Sequence, residues 1–270
     1  MATILFVLSY LAYFVLFMLN NPWEWFALWL LVSYALAFVT VILLYLMQFP
    51  LVVLLPATHP YKGYLMKSIA YLINHFVLRL NVTVSGLEHV PKQGKLVIYA
   101  NHKSYSDGFA LQEVLKRPFT FTPKSTVMKI PILSQWLKAY EVFPVNRKSV
   151  KETAEHLEKA IETVKKGIAI SIFPEGTIQY RLDEQIEHMK PGAFKLALKA
   201  EADILIVRFD GNDLTKHRTP FRSTKRHITV LPLLPYTEYQ HLSTVEIAQL
   251  VMERINQVKI NPQSIDNHNQ

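Results

Sequence analysis

The sequence predicts an α/β fold: a central, mostly parallel sheet flanked by helices, behind an N-terminal hydrophobic helical hairpin. Three observations carry this. From Leu80 on, short apolar runs alternate with helical patterns, as expected for strands joined by crossover helices. Two of the helical patterns open on a Ser-x-x-Glu capping spacing. From Met1 to Pro50 the only charged side chain is Glu24, so the leader is built for an apolar environment.

The leader has two parts. Ile4 to Leu19 is apolar apart from Ser9 and a few tyrosines, and Asn20-Asn21-Pro22 breaks the run. Trp25 to Met47 is apolar again and long enough to span a bilayer core. Trp23, Trp25 and Trp29 near the break suit an interfacial aromatic belt. No basic region precedes the first run and no small-residue cleavage site follows it, which argues against a cleaved signal. A hairpin crossing the membrane twice and a helix pair held in one leaflet both fit; the length of the second run favours the hairpin. Lys62, Lys67 and Arg79 follow the second run and no basic residue precedes the first. By the positive-inside rule the rest of the chain is then cytoplasmic.

Residues 1–50 are thus expected to be a membrane anchor and 51–80 an interfacial helix or linker. Residues 81–260 are expected to form the α/β domain, with a polar tail from 261. Leu65, Ile69, Leu72, Phe76 and Leu80 recur at helical spacing. That stripe fits a helix at the membrane surface and equally a helix packed on the domain core.

In the domain, strands are predicted at Leu96–Ala100, Val142–Val145, Ile168–Phe173, Ile204–Val207 and Ile228–Leu233. Ser149 with Glu152 precedes the stripe Val150, Ala154, Leu157, Ile161 and Val164. Ser243 with Glu246 precedes Ile247, Val251, Ile255 and Val258. Both stripes are expected to face the core.

The chain has no cysteine, which excludes disulfides, thiol nucleophiles and thiolate zinc sites. Of its 21 acidic residues only Glu24 lies before Leu51, so the remainder carries 29 basic against 20 acidic residues. That balance suits anionic lipid, an acidic acyl carrier or a phosphorylated substrate, and also plain solubility.

Chemistry-bearing residues follow three of the predicted strands. His102 and Asp107 stand in Asn101-His102-Lys103-Ser104-Tyr105-Ser106-Asp107, just past Leu96–Ala100. An imidazole with a pKa of about 6.5 can take a proton at neutral pH. A carboxylate on its other nitrogen fixes the tautomer and stabilises the imidazolium. Phe173-Pro174-Glu175-Gly176-Thr177 closes the run from Ile168. A carboxylate in such a turn can bond an acceptor hydroxyl or pin the loops of a site. Arg147 follows Val142–Val145, and a guanidinium suits bidentate capture of phosphate. Lys124 and Lys129 add charge upstream, with solvated surface as their ordinary reading.

Taken in order, these motifs resemble the glycerolipid acyltransferase family, and within it the 1-acylglycerol-3-phosphate acyltransferases. Asn101, His102, Ser104 and Asp107 fit the family's NHxSxxD motif, Arg147 fits the arginine of its second motif, and Phe173 to Thr177 is its FPEGT motif intact. Lys190-Pro191-Gly192-Ala193-Phe194-Lys195 looks like the glycine-containing helix entry that follows. The likeness runs from about Val82 to Val207.

The resemblance implies that His102 is the general base for a glycerol hydroxyl and Asp107 orients it. Arg147, Glu175, Gly176 and Thr177 would bind the acyl-glycerol phosphate, with Lys124 adding charge. It further implies no cofactor, no metal in the chemistry, no acyl-enzyme and no nucleic-acid partner. The co-substrate would be acyl-CoA or acyl-carrier protein, and the product phosphatidic acid. The chain departs from the pattern in three places. Ile178-Gln179-Tyr180 intervene before Arg181, where the family has an earlier arginine. Ile204-Leu205-Ile206-Val207-Arg208 lacks the proline of the fourth motif. The glycine before the second-motif arginine is missing. Arg181 or Arg208 could then supply the phosphate contact, and another lysophospholipid or a glycolipid is the alternative acceptor. An inactive membrane scaffold is the third reading.

Overall fold

The computed structural model describes residues 1–56, 59–145, 150–178, 185–211 and 223–258. The chain forms two compact units, Met1–Leu72 and Ile73–Gln270.

The first unit is helical. Helix α1 (Ala2–Asn20) and helix α2 (Phe26–Leu54) flank a short 3-10 turn at Trp23–Trp25. Aromatic pairs fix them antiparallel: Phe6 lies 4.6 Å from Phe38, Phe14 5.4 Å from Phe26, and Phe17 4.6 Å from Trp29. The Tyr13 hydroxyl and Thr40 Oγ1 are 2.9 Å apart. Both helices are long and apolar enough to cross a membrane. Helix α3 (Pro60–Leu72) buries Leu65 and Leu72 and packs on the hairpin. Ser68 Oγ accepts from the Ala2 amide at 2.7 Å, and the Leu65 carbonyl from the Tyr45 hydroxyl at 3.2 Å. The predicted stripe does not continue as one helix. After Leu72 the chain widens into a π-helical turn, Ile73–Val77, and Leu80 already starts a strand.

The second unit holds a six-stranded sheet. Its strands are β1 (Leu80–Ser85), β2 (Leu96–Ala100), β3 (Phe119–Phe121), β4 (Ala169–Ile172), β5 (Asp203–Asp210) and β6 (Thr224–Val230), in the order β1-β6-β5-β2-β4-β3. Every pairing is parallel except β5 with β6, so the sheet is mixed and mostly parallel. Helix α4 (Asp107–Val114) follows β2, α5 (Leu133–Ala139) follows β3, and α6 (Val150–Lys165) precedes β4. Helix α7 (Lys195–Ala200) precedes β5; α8 (Tyr236–Tyr239) and α9 (Thr244–Asn256) follow β6.

Strand alternation divides the core between the two faces of the sheet. Val97, Tyr99, Ile170, Ile204 and Ile206 pack with Val164 of α6, Ala197 of α7 and Val251 of α9. Leu96, Ile98, Ala100, Leu205 and Val207 pack with Ala110 and Leu111 of α4 on the other face. Burial on both faces explains why β2 reads as an unbroken apolar run. Ser243 caps α9 with a complete capping box: its Oγ accepts from the Glu246 amide at 3.3 Å, and Glu246 Oε2 from the Ser243 amide at 2.7 Å.

Some predicted elements need correction. Val142–Val145 is not a strand. It runs alongside the exit of β3 through one parallel bridge, Lys124 with Val145, and Pro144 removes an amide that a ladder would need. In α6 the inward residues are Leu157, Ala160, Ile161 and Val164, whereas Ala154 is exposed. Ser149 and the side chains of Val150 and Glu152 lie outside the described residues.

Candidate active site

Strands β5, β2, β4 and β3 are mutually parallel, so their carboxyl ends share one end of the sheet. Ligands in open α/β sheets bind there. The residues after β2 and after β4 both emerge at that end.

Asn101 prolongs the β2–β5 ladder with its side chain. Its Nδ2 donates to the Phe209 carbonyl at 3.0 Å, and its Oδ1 accepts from the Phe209 amide at 2.6 Å. A strand partner is thereby replaced by a carboxamide, and the chain can turn away at His102 with the Phe209 amide and carbonyl both paired.

The turn folds back onto Asp107. Oδ2 of Asp107 accepts from the amides of Lys103 and Ser104, each at 2.7 Å, and lies 3.1 Å from Nδ1 of His102. An ionised carboxylate only accepts, so Nδ1 carries the proton and Nε2 is left as the basic nitrogen. Asp107 is the first residue of α4, where the helix dipole favours negative charge. Its side chain is wholly buried, whereas His102 keeps 20% of its own exposed. The phenyl ring of Phe173 stacks on the imidazole at 4.3 Å and 21°, closing one face of it.

The second motif element is tied to the first. Phe173 to Gly176 is a turn closed by the Gly176 amide on the Phe173 carbonyl at 3.0 Å, with Pro174 at its second position. Glu175 is buried, and its Oε1 accepts from the His102 amide at 2.7 Å. Burial pushes its carboxyl above the usual range, and the His102 amide and the charge of Lys103 pull the other way. Gly176 has φ +74°, and a Cβ there would meet Nζ of Lys190 at 3.0 Å. The Lys190 chain therefore lies over this turn, and its amide donates to the Pro174 carbonyl at 3.0 Å. Thr177 follows directly in a bend.

The structure thus brings together His102, Asp107 and Glu175, with Gly176 and Thr177 continuing the Glu175 turn. Lys124 is exposed at the end of β3, two strand spacings (about 10 Å) from β2. Arg147 and Arg181 lie outside the described residues. Arg208 does not face the site as a phosphate ligand. It is buried on β5, with Nε 2.6 Å from Asp210 Oδ1 and Nη1 donating to the Ile255 carbonyl at 2.7 Å.

One residue was invisible to sequence reasoning. Arg226 of β6 is wholly buried, with Nη1 3.5 Å from Asp107 Oδ1. Nη1 also donates to the Gly211 carbonyl at 2.9 Å, and Nη2 to Ser106 Oγ at 3.4 Å. Asp107 therefore has one oxygen in a nest of N–H groups and the other toward a guanidinium. Arg226 stands two residues before the predicted strand Ile228–Leu233, in the part of β6 that carries no apolar run.

Comparison with known proteins finds acyltransferases. The acyltransferase family model matches residues 81–209, from β1 into β5. A 1-acyl-sn-glycerol-3-phosphate acyltransferase of Borreliella burgdorferi is 27% identical over 185 residues, covering 68% of this chain and 73% of its own. The protein of that name from Saccharomyces cerevisiae is 32% identical over 138 residues, covering 51% of this chain and 45% of its own. The chain thus spans nearly three quarters of one relative and under half of the other. The crystal structure of the 1-acyl-sn-glycerophosphate acyltransferase PlsC from Thermotoga maritima matches with a TM-score of 0.57 at 21% identity, over 74% of this chain and 82% of that one; this last likeness is one of fold. The matched segment carries His102, Asp107 and Glu175 in the arrangement just described, and over it the chain is similar to the 1-acyl-sn-glycerol-3-phosphate acyltransferases.

Proposed function

We propose that this protein moves a fatty acyl group from a thioester donor, acyl-CoA or acyl-carrier protein, to the free hydroxyl of 1-acylglycerol 3-phosphate, giving phosphatidic acid. The observation that carries the reading is the His102–Asp107 contact of 3.1 Å at the carboxyl end of the sheet. Nε2 of His102 takes the proton as the hydroxyl oxygen attacks the thioester carbonyl. The carbon–sulfur bond then breaks, and the imidazolium returns the proton to the leaving thiolate. Asp107 holds the ring and offsets its charge while it is protonated.

Glu175 acts through His102: its carboxylate fixes the backbone amide of the base and so the distance between the two motif turns. Arg147, Arg181, Thr177 and Lys190 are the groups for the phosphate, with Lys124 at the rim. The two apolar helices hold the enzyme at the membrane that contains its acceptor, and the lysines after them favour a catalytic unit on the cytoplasmic side. No metal or cofactor takes part in this scheme.

The test is a screen of purified full chain in liposomes, with acyl-CoA and acyl-carrier protein as donors, lysophosphatidic acid among other lyso-acceptors, and mass analysis of products. Phosphatidic acid as the dominant product supports the proposal. A second reading keeps the chemistry and changes the acceptor headgroup. It is favoured by Arg208, which is committed to Asp210 and Ile255. Faster turnover of a lysophospholipid with a larger headgroup would select it.

A further inference from the structure

We propose that the catalytic unit carries its own lipid-contacting lobe, residues 124–140, which inserts Ile130, Ile132 and Leu133 among the acyl chains of an anionic membrane. The lobe leaves β3 and returns beside it. The Phe143 amide donates to the Phe121 carbonyl at 3.2 Å, and the Val145 amide to the Pro123 carbonyl at 2.9 Å. Leu137 and Tyr140 are buried, and Thr120 Oγ1 donates to the Tyr140 carbonyl at 2.9 Å. The base of the lobe is therefore fixed to the sheet.

Its tip is the opposite of a soluble loop. Lys129-Ile130-Pro131-Ile132-Leu133 are five consecutive exposed residues, four of them apolar. Ile130, Ile132 and Leu133 expose 49%, 52% and 40% of their surface. Such a run in water is a fault unless it serves a contact. The backbone there is also strained. Ile132 has φ +65° and ψ −57°, and the Leu133 amide donates to the Pro131 carbonyl at 2.6 Å. This is a γ-turn of the rare, strained kind, with a β-branched residue at its centre. Strain of that sort is retained where a particular presentation of side chains is used.

Charge selects the partner. No acidic residue occurs between Glu113 and Glu141, whereas Lys124, Lys129 and Lys138 are all exposed. Lysines around an apolar tip, with Trp136 half-buried one turn behind it, match an anionic headgroup layer over acyl chains. Two copies of this lobe would repel each other. An acidic carrier protein would use the lysines but has no need of Ile-Pro-Ile-Leu. The lobe follows the carboxyl end of β3, the end of the sheet at which His102 stands. Its contact with lipid would bring that end to the bilayer surface. The proposal rests on the lipid-substrate reading only for the identity of the surface, and its test needs no turnover.

The chain has no cysteine, so Ile132→Cys gives a single attachment point for an environment-sensitive fluorophore. Lys199→Cys, exposed just before β5 begins at the opposite end of the sheet, is the control. The full-length protein is placed in phosphatidylglycerol vesicles with nitroxides on the acyl chains. Emission from position 132 should fall at least about twofold while that from position 199 is unchanged, and Leu133→Cys should behave like 132. Equal, weak quenching at all three positions overturns the proposal. So does shielding of position 132 that depends on added acyl-carrier protein, or on protein concentration in the absence of lipid.

Discussion

The Arg226 guanidinium stands 3.5 Å from Oδ1 of Asp107, and both side chains are fully buried. The two residues come from β6 and from the first turn of α4, so the fold of the whole sheet is needed to pair them. A buried carboxylate already holding His102, Lys103 and Ser104 through its other oxygen gains a fixed counter-charge. The axis of the carboxylate, and with it the plane of the imidazole, is set from behind.

Removing that counter-charge should be costly twice over. Arg226→Met leaves a buried carboxylate without its cation, a loss of about 3 kcal/mol by the usual cost of breaking a buried pair. Turnover should fall more than the acceptor KM rises, because Arg226 lies behind Asp107 rather than at the substrate. Arg226→Lys should recover part of both. Thermal melting in detergent and steady-state kinetics check this, and a Met variant that loses only acceptor affinity would move Arg226 into a binding role.

Glu175 offers a pH test. Its folded pKa lies above the ordinary carboxylate value of 4.5 because of burial. The folded state then holds this proton more tightly than the unfolded chain does. Its contribution to stability is present below pH 4.5 and is lost as pH rises through the folded pKa. Glu175→Gln keeps an acceptor for the His102 amide and has no charge to bury. The variant should therefore gain stability over wild type near neutral pH, with the gap closing toward pH 4.5. If Glu175 acts by holding His102, Gln should keep turnover within about tenfold and Ala should lose about a hundredfold, in the range of a misplaced catalytic group.

Gly176 tests the turn. At φ +74° a side chain costs about 1–2 kcal/mol, and its Cβ would press on the Lys190 ammonium at 3.0 Å. Gly176→Ala should lower stability by about that amount and raise KM for an anionic acceptor several-fold. Unchanged KM with lysophosphatidic acid would remove Lys190 from the headgroup site.

The parts of this molecule that the sequence disclosed are those governed by local rules. Strand β2 is buried along its whole length and reads as an apolar run with exact ends. The His102–Asp107 contact spans five positions, close enough for a single turn to make it. Strand β1 alternates between buried and exposed positions, and β3 is three residues long at the sheet edge; neither has a run to detect. Strand β6 starts at Thr224, earlier than its apolar part, because Arg226 occupies an inward position that apolar patterning passes over. Its partner Asp107 is 119 positions away, a separation only sheet topology closes. Arg208 failed as a phosphate ligand for the same reason: Asp210 and the end of α9 claim it.

The most direct test of the central claim is acyl transfer by purified full-length wild type and His102→Ala, with lysophosphatidic acid and a fatty acyl thioester. The account predicts phosphatidic acid from wild type and a rate at least about a hundredfold lower from the variant, with the same melting temperature. A folded His102→Ala protein that makes phosphatidic acid at the wild-type rate would contradict it.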